Sequence, residues 1–339
     1  MKTTLLSSNR WARRGSSPRV GVSTLGWMTL ALTLAGAVGA CGGNGAAGSG
    51  GGGGSPGGTG GAPGTGGMGG GGAGGAGGTG AGPGSGGEGG GSLGQGGLVD
   101  RGLLVRYFID EATSGIVGEL NDSAPTPLPL RITPSPGLQF VTESGANRGL
   151  QWDSIELDGR ASAAVSGTKL TRLEGSTTGT IEVVLDIHAV APLNSRISHI
   201  GFDQESGRFS LGANTTSRLQ FRWQSNVLGG EWEVPLSSLG RAVVHLVLDT
   251  EPPDPEARVK LYVNGAPQAR VGGVLPSQAQ AIQLGTDPHY VLGNREVGVR
   301  SFEGRLHYAA MYTEALSSED VLHNTALLLV SDDTPSAAP

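Results

Sequence analysis

Residues 180–188 alternate apolar and polar side chains, which puts Glu182 and Asp186 on one face of a strand with His188 beyond them. Two carboxylates on one strand are a known way to hydrolyse a glycosidic bond, one as acid and the other as nucleophile or base. Strand residues rise ~3.3 Å each, so four positions separate these carboxylates by about 13 Å. Retaining hydrolysis needs roughly 5–5.5 Å and inverting hydrolysis roughly 6.5–9.5 Å. Val184 stands between them, where an acid would have to be. The run therefore reads as a structural strand with one polar face, and the chain is expected not to be an enzyme.

Other chemistry-bearing patterns are weaker still. The six histidines (188, 199, 245, 289, 307 and 323) form neither His-x-His nor His-Glu-x-x-His, so no zinc site is indicated. His245 reads as a strand histidine satisfied by a local hydrogen bond, and His188 and His307 as surface residues. Beyond residue 97 there is no Gly-x-Ser-x-Gly nucleophile turn. Of the five tryptophans, Trp11 and Trp27 precede the glycine-rich stretch, and Trp223 alternates with Leu219 and Phe221 as a core residue would. Trp232, between Glu231 and Glu233, and Trp152 are left as ligand-binding candidates.

The elements that must position these residues begin late in the chain. Residues 42–97 hold 35 of the 63 glycines and almost nothing to bury, which predicts a disordered linker. It has no Gly-Lys-Ser/Thr to cradle a phosphate and no strict Gly-X-Y period for collagen. As a Gly-rich coil it would span about 37–45 Å. Ahead of it, residues 1–19 are polar and basic, and residues 20–40 are uncharged with an apolar stretch from Leu25 to Ala35. This is the pattern of a secretory signal, and the only cysteine, Cys41, follows it directly. No disulfide can form within the chain.

The formal charge of −6 conceals a partition, since residues 1–41 carry five basic side chains and no acid. Without them 18 basic face 29 acidic side chains, a net −11. An acidic protein of this kind is not expected to bind nucleic acid, nor to adsorb to anionic lipid through a basic face.

From Leu98 onward, short strand-like runs recur at turn-rich intervals: 104–109, 180–188, 196–202, 208–211, 217–224, 231–236, 242–249, 259–263, 266–271, 290–292 and 304–312. Asn264-Gly265 between two of them is a strong hairpin signal. One helix is expected, capped by Ser317 with Asp320 closing a capping box and with Val321, Leu322 and Leu328 as apolar contacts. Residues 331–339 read as a frayed polar tail. The pattern predicts an all-β fold: a two-sheet antiparallel sandwich with one short C-terminal helix, preceded by the linker.

Val38-Gly39-Ala40-Cys41 resembles the lipidation box of bacterial lipoproteins. The resemblance implies a signal peptide over residues 1–40, diacylglycerol on Cys41, a lipid-anchored linker over 41–97, and residence in the outer membrane or at the cell surface. Residues 98–330 are similar to laminin G-like domains of the concanavalin A-like lectin/glucanase jelly rolls. The likeness lies in Leu104–Glu111 with Ser114-Gly115, Asn121-Asp122-Ser123, Thr180-Ile181-Glu182, His245–Asp249, Lys260–Gly265, Leu292-Gly293-Asn294, and Phe302–Leu306 with Tyr312 and Ala315-Leu316-Ser317. It implies a non-catalytic role in carbohydrate or protein recognition and adhesion. A glycan-active hydrolase and a structural envelope protein without a ligand stay open as alternatives. It also implies a structural calcium, with Asp110 and Glu111 as candidate ligands. The later ligand position is His307, a poor partner for a hard cation; Asp203 or Asp287 would serve only a different site. No other cofactor is expected.

Overall fold

The computed structural model describes residues 97–111, 118–141, 148–202, 207–224 and 227–335. The signal, Cys41, the linker to residue 96, Ser114-Gly115 and Asp203 lie outside the described residues.

The strands are β1 (Leu103–Phe108), β2 (Glu119–Leu120), β3 (Leu130–Thr133), β4 (Leu138–Val141), β5 (Gly149–Trp152), β6 (Arg160–Ala164), β7 (Thr178–Val190), β8 (Ser195–Gly201) and β9 (Phe209–Thr215). They continue as β10 (Arg218–Trp223), β11 (Val227–Glu233), β12 (Ala242–Asp249), β13 (Val259–Val263), β14 (Ala266–Pro267), β15 (Arg270–Gly272), β16 (His289–Leu292) and β17 (Phe302–Tyr312). A one-turn helix α1 (Leu236–Leu239) precedes β12, and α2 (Ser318–Val330) ends the fold. An eight-stranded sheet runs β14-β13-β12-β7-β17-β5-β4, with β1 also beside β17. A nine-stranded sheet runs β15-β11-β10-β9-β8-β16-β6-β3-β2. The pairings are antiparallel, so this is the expected jelly-roll sandwich.

Alternation decides which side chains meet between the sheets. Ile181, Val183, Leu185 and Ile187 of β7 face Phe209, Leu211, Leu219, Phe221 and Trp223 of the other sheet in one core. The opposite faces of β7, β12 and β17 present Val184, Val243, Val247, Tyr308 and Tyr312 to a second core. That core is closed by Leu98 and Val99 at the start of the domain and by Val321 and Leu328 of α2. Ser317 and Asp320 form the expected capping box. Asn264 and Gly265 both have positive φ (50° and 79°), the conformation of a tight hairpin turn.

Four expectations are corrected. Strands β2 to β6 were not foreseen, because runs of two to five residues are too short to show a period. Leu322 is 56% exposed, at the margin of the helix beside the Gly265 turn. His307 is buried, with Nδ1 2.7 Å from the Arg148 carbonyl oxygen. The segment 331–335 is tied down: Arg241 Nη2 donates to buried Asp332 at 2.7 Å, and Thr334 N donates to Asp110 at 2.8 Å. Among the described residues no helix is long and apolar enough to cross a membrane.

Candidate functional site

Directly opposed residues on neighbouring strands share a face of the sheet. On the outer face of the nine-stranded sheet the register aligns Arg131, Ser162, Val291, His199, Ser210 and Arg222 in one row across β3, β6, β16, β8, β9 and β10. A second row, Arg196, Gly212, Gln220 and Glu231, crosses β8 to β11. Over β3, β6 and β16 the face opens into a cleft of about 570 Å³, with Arg131, Thr133, Arg160, Ser162, His289 and Glu296 in its lining.

Charge is unevenly compensated along these rows. At the β11 end, Glu231 accepts from Asn214 at 2.7 Å, Gln220 at 3.0 Å and Arg218 at 3.3 Å. At the β8 end, Arg196 is 5% exposed and its Nε has no hydrogen-bond partner among the described residues. Burial, reinforced by the charges of Arg222, Arg300 and Arg295, pulls its guanidinium down to about 9. Burial, then Arg196 and Arg295, likewise pushes His199 well below the usual imidazole range. His199 Nδ1 lies 2.9 Å from Ser210 Oγ, and its Nε2 is unpartnered among the described residues.

Arg295 and Arg300 reach this place from the loop between β16 and β17. Gly293, at φ +72°, lets the chain turn over the Trp152 ring. Asn294 Nδ2 donates to the carbonyls of Leu157 (2.6 Å) and Gly159 (3.1 Å), while its Oδ1 accepts from Arg295 N (3.0 Å) and Arg300 N (2.8 Å). Arg196 N then donates to the Arg300 carbonyl at 2.8 Å. One asparagine thus holds both ends of a loop that carries two arginines to a third.

The residues singled out in the sequence lie elsewhere. Glu182 is fully buried beneath α2, on the outer face of the other sheet. Its Oε1 accepts from His245 Nε2 (2.7 Å) and Asn324 Nδ2 (2.8 Å), and its Oε2 from Tyr308 (2.9 Å) and Tyr312 (2.7 Å). A carboxylate with four donors and no solvent is a structural hub. Asp186 lies 3.2 Å from exposed His188 and not beside Glu182. His245, expected to be satisfied by a local hydrogen bond, is held instead by Glu182 from another strand, and its Nδ1 has no partner among the described residues.

Trp232 and Trp152, the ligand-binding candidates, are core residues. Trp232 shares its inward face with Val234, and Trp152 Nε1 donates to the Gly159 carbonyl at 2.9 Å. Alternation with Val234 was the signal that placed Trp232 inside.

Asp110 and Glu111 line a small recess with Asn121, Asp122 and Thr334. Asp110 accepts from Thr334, and Asp122 from the backbone N–H groups of Arg106, Ala124 and Leu128 and from Lys169. Glu111 Oε1 accepts from Asn121 N at 2.6 Å, and burial, with Asp110 adding repulsion, raises this carboxyl to about 7. Among the described residues Glu111 Oε2 is the buried oxygen of the recess without a partner, whereas calcium takes six to eight oxygens. Among the described residues no three His, Cys, Asp or Glu side chains converge on a metal position. The described residues alone do not make up the shell that ion takes.

Residues 158–322 match the family model of laminin G-type domains in the concanavalin A-like lectin/glucanases superfamily. The search of curated proteins finds no match. Among solved structures, a Trypanosoma rangeli sialidase in complex with 2,3-difluorosialic acid is 15% identical at a TM-score of 0.45, over 69% of this chain and 34% of its own. This chain thus spans about a third of the sialidase. Domain 4 of a GH43 extracellular arabinanase from Geobacillus stearothermophilus, in complex with arabinotriose, is 15% identical at a TM-score of 0.45, over 66% of this chain and 98% of its own.

Proposed function

We propose that this concanavalin A-like domain is a non-catalytic recognition module that binds a glycan on the outer face of its nine-stranded sheet. The cleft carries the reading: about 570 Å³, with guanidinium donors from Arg131 and Arg160 and hydroxyls from Thr133 and Ser162 in its lining. A concave site with a few convergent polar groups suits a ligand covered in hydroxyls. The match to a superfamily of lectins and glucanases supports the same ligand class. Fold alone does not choose between binding and turnover. Among the described residues Glu296 is the one carboxylate of the lining, and glycosidic hydrolysis uses a pair, which supports binding.

A glycan array probed with the detergent-solubilised full chain is expected to show binding to one glycan class without release of reducing ends. Arg160→Ala should weaken that binding about tenfold, the loss of one charged hydrogen bond. A blank array sinks the glycan reading, and released reducing ends would restore the hydrolase.

Display on the cell envelope, through a lipid on Cys41, completes the proposal. The lipidation box supports it, and two or more acyl chains give stable attachment. Radiolabelled palmitate is expected to enter the wild-type chain and not Cys41→Ala; a labelled variant overturns the anchor.

A further inference from the structure

Arg196 presents a charge problem that the described residues do not solve. A buried guanidinium without a counter-ion costs several kcal/mol, and such groups are ordinarily paired. Here Arg222, Arg295 and Arg300 are the charges acting on it, and all have its own sign. The described residues place no carboxylate in an ion pair with it, although the domain is acidic overall. His199 adds a fully buried, unpartnered Nε2 to the same patch. The cluster is built rather than accidental. Asn294 and the Arg196–Arg300 backbone bond hold the loop against β8, and Gly212, with no side chain, lets β9 lie close against β8 beside Arg196. A Cβ at Gly212 would meet the Ser195 carbonyl oxygen at 2.4 Å and come to 3.7 Å from Arg196 Nη1.

We infer that Arg196, with His199, Arg222, Arg295 and Arg300, forms a site for an anionic oxygen group, a carboxylate or sulfate ester of an acidic glycan. The glycan as carrier rests on the reading proposed above; the site for the anion rests on the arginines. Guanidinium and such oxygens match in geometry, and their hydrogen bonds are charge-assisted. The patch adjoins the cleft along the rows, so a sugar chain in the cleft could bring an acidic substituent to Arg196.

The test uses the full chain, wild-type and Arg196→Gln, with four probes. These are an oligogalacturonate, its methyl ester, a sulfated heparin-derived hexasaccharide, and inorganic sulfate with chloride at matched ionic strength. Wild type is expected to bind the oligogalacturonate or the sulfated hexasaccharide at least tenfold tighter than the methyl ester. Arg196→Gln should erase that preference. Sulfate should raise the wild-type Tm by about 3 °C more than that of Arg196→Gln, since general salting-out acts on both.

If methyl ester and free acid bind alike, and Arg196→Gln changes neither, the anion site is overturned while the glycan reading stands. If sulfate separates the two proteins but no oligosaccharide binds, the site is upheld with a free anion as its source, and the glycan reading falls. If neither sulfate nor charge distinguishes them, the inference is overturned. Arg196→Gln removes an uncompensated charge and should melt no lower than wild type. Arg300→Gln, on the half-buried loop, is the second variant and should lose part of the same preference.

Discussion

Replacing Glu182 with alanine is expected to cost about 3–5 kcal/mol in a urea or thermal unfolding experiment, the range for breaking a buried charged pair by removing one partner. The change would strand the donors of His245, Asn324, Tyr308 and Tyr312 in a site with no solvent. It would also leave the Arg106 guanidinium, 2% exposed and bonded to Tyr308 at 3.1 Å, without a carboxylate that supports its charge. Hydrogen exchange should report the loss first in α2, because Asn324 joins that helix to the hub.

The same residue sets an acid limit. Burial alone would raise its pKa, but His245, Tyr312 and Arg106 outweigh burial and hold it at about 2. A depressed carboxyl stabilises the fold at pH above its ordinary value near 4.5. That contribution, roughly 3 kcal/mol, falls away as the pH drops from about 4.5 to about 2. Glu182→Gln should be less stable at neutral pH and show a flatter decline through this window. A Glu182→Ala loss below about 1 kcal/mol, or an unchanged acid profile in Glu182→Gln, would refute the hub.

Gly293→Ala is expected to destabilise by about 3 kcal/mol or more. A Cβ there would fall 1.9 Å from Trp152 Cζ2, and the residue sits at φ +72°. The left-handed backbone costs a residue with a Cβ about 1–2 kcal/mol, and overpacking about 1–3 kcal/mol. Trp152 has no room to yield, since it packs on Phe302 with ring centroids 5.2 Å apart. Trp152→Leu in the same chain should recover part of the clash, giving a double-mutant coupling of 1 kcal/mol or more, on the order seen for residues in contact. A Tm within about 2 °C of wild type for Gly293→Ala would sink the argument.

The sandwich was legible in β1 and from residue 178 onward, where long strands bury one face and write the period of two into residues such as Ile181, Val183, Leu185 and Ile187. The stretch holding β2 to β6 was not. Arg160-Ala161-Ser162-Ala163-Ala164 offers a single fully buried alanine as its signal. The candidate site was hidden for another reason. Its arginines come from β3, β6, β8, β10 and the β16–β17 loop, and only cross-strand register assembles them. A bulge between Arg196 and Ser198 also breaks the alternation, so Arg196 and His199 share a face although they are three residues apart. Glu182 showed the converse. Its type and strand were read correctly, but nothing in the local sequence announced that a helix 142 residues away would cover it.

The strap at the start of the domain has a mechanical meaning. Val99 N donates to Asn324 at 2.9 Å and the Val99 carbonyl accepts from Arg106 at 2.6 Å. Tension arriving through residue 97 would therefore load those two bonds in parallel and pass through the Glu182 hub into β7, β12 and β17. It would enter on the side opposite the arginine rows, leaving them unobstructed while the far side bears the force. A load entering at residue 97 would thus be borne by the same hub that holds Glu182.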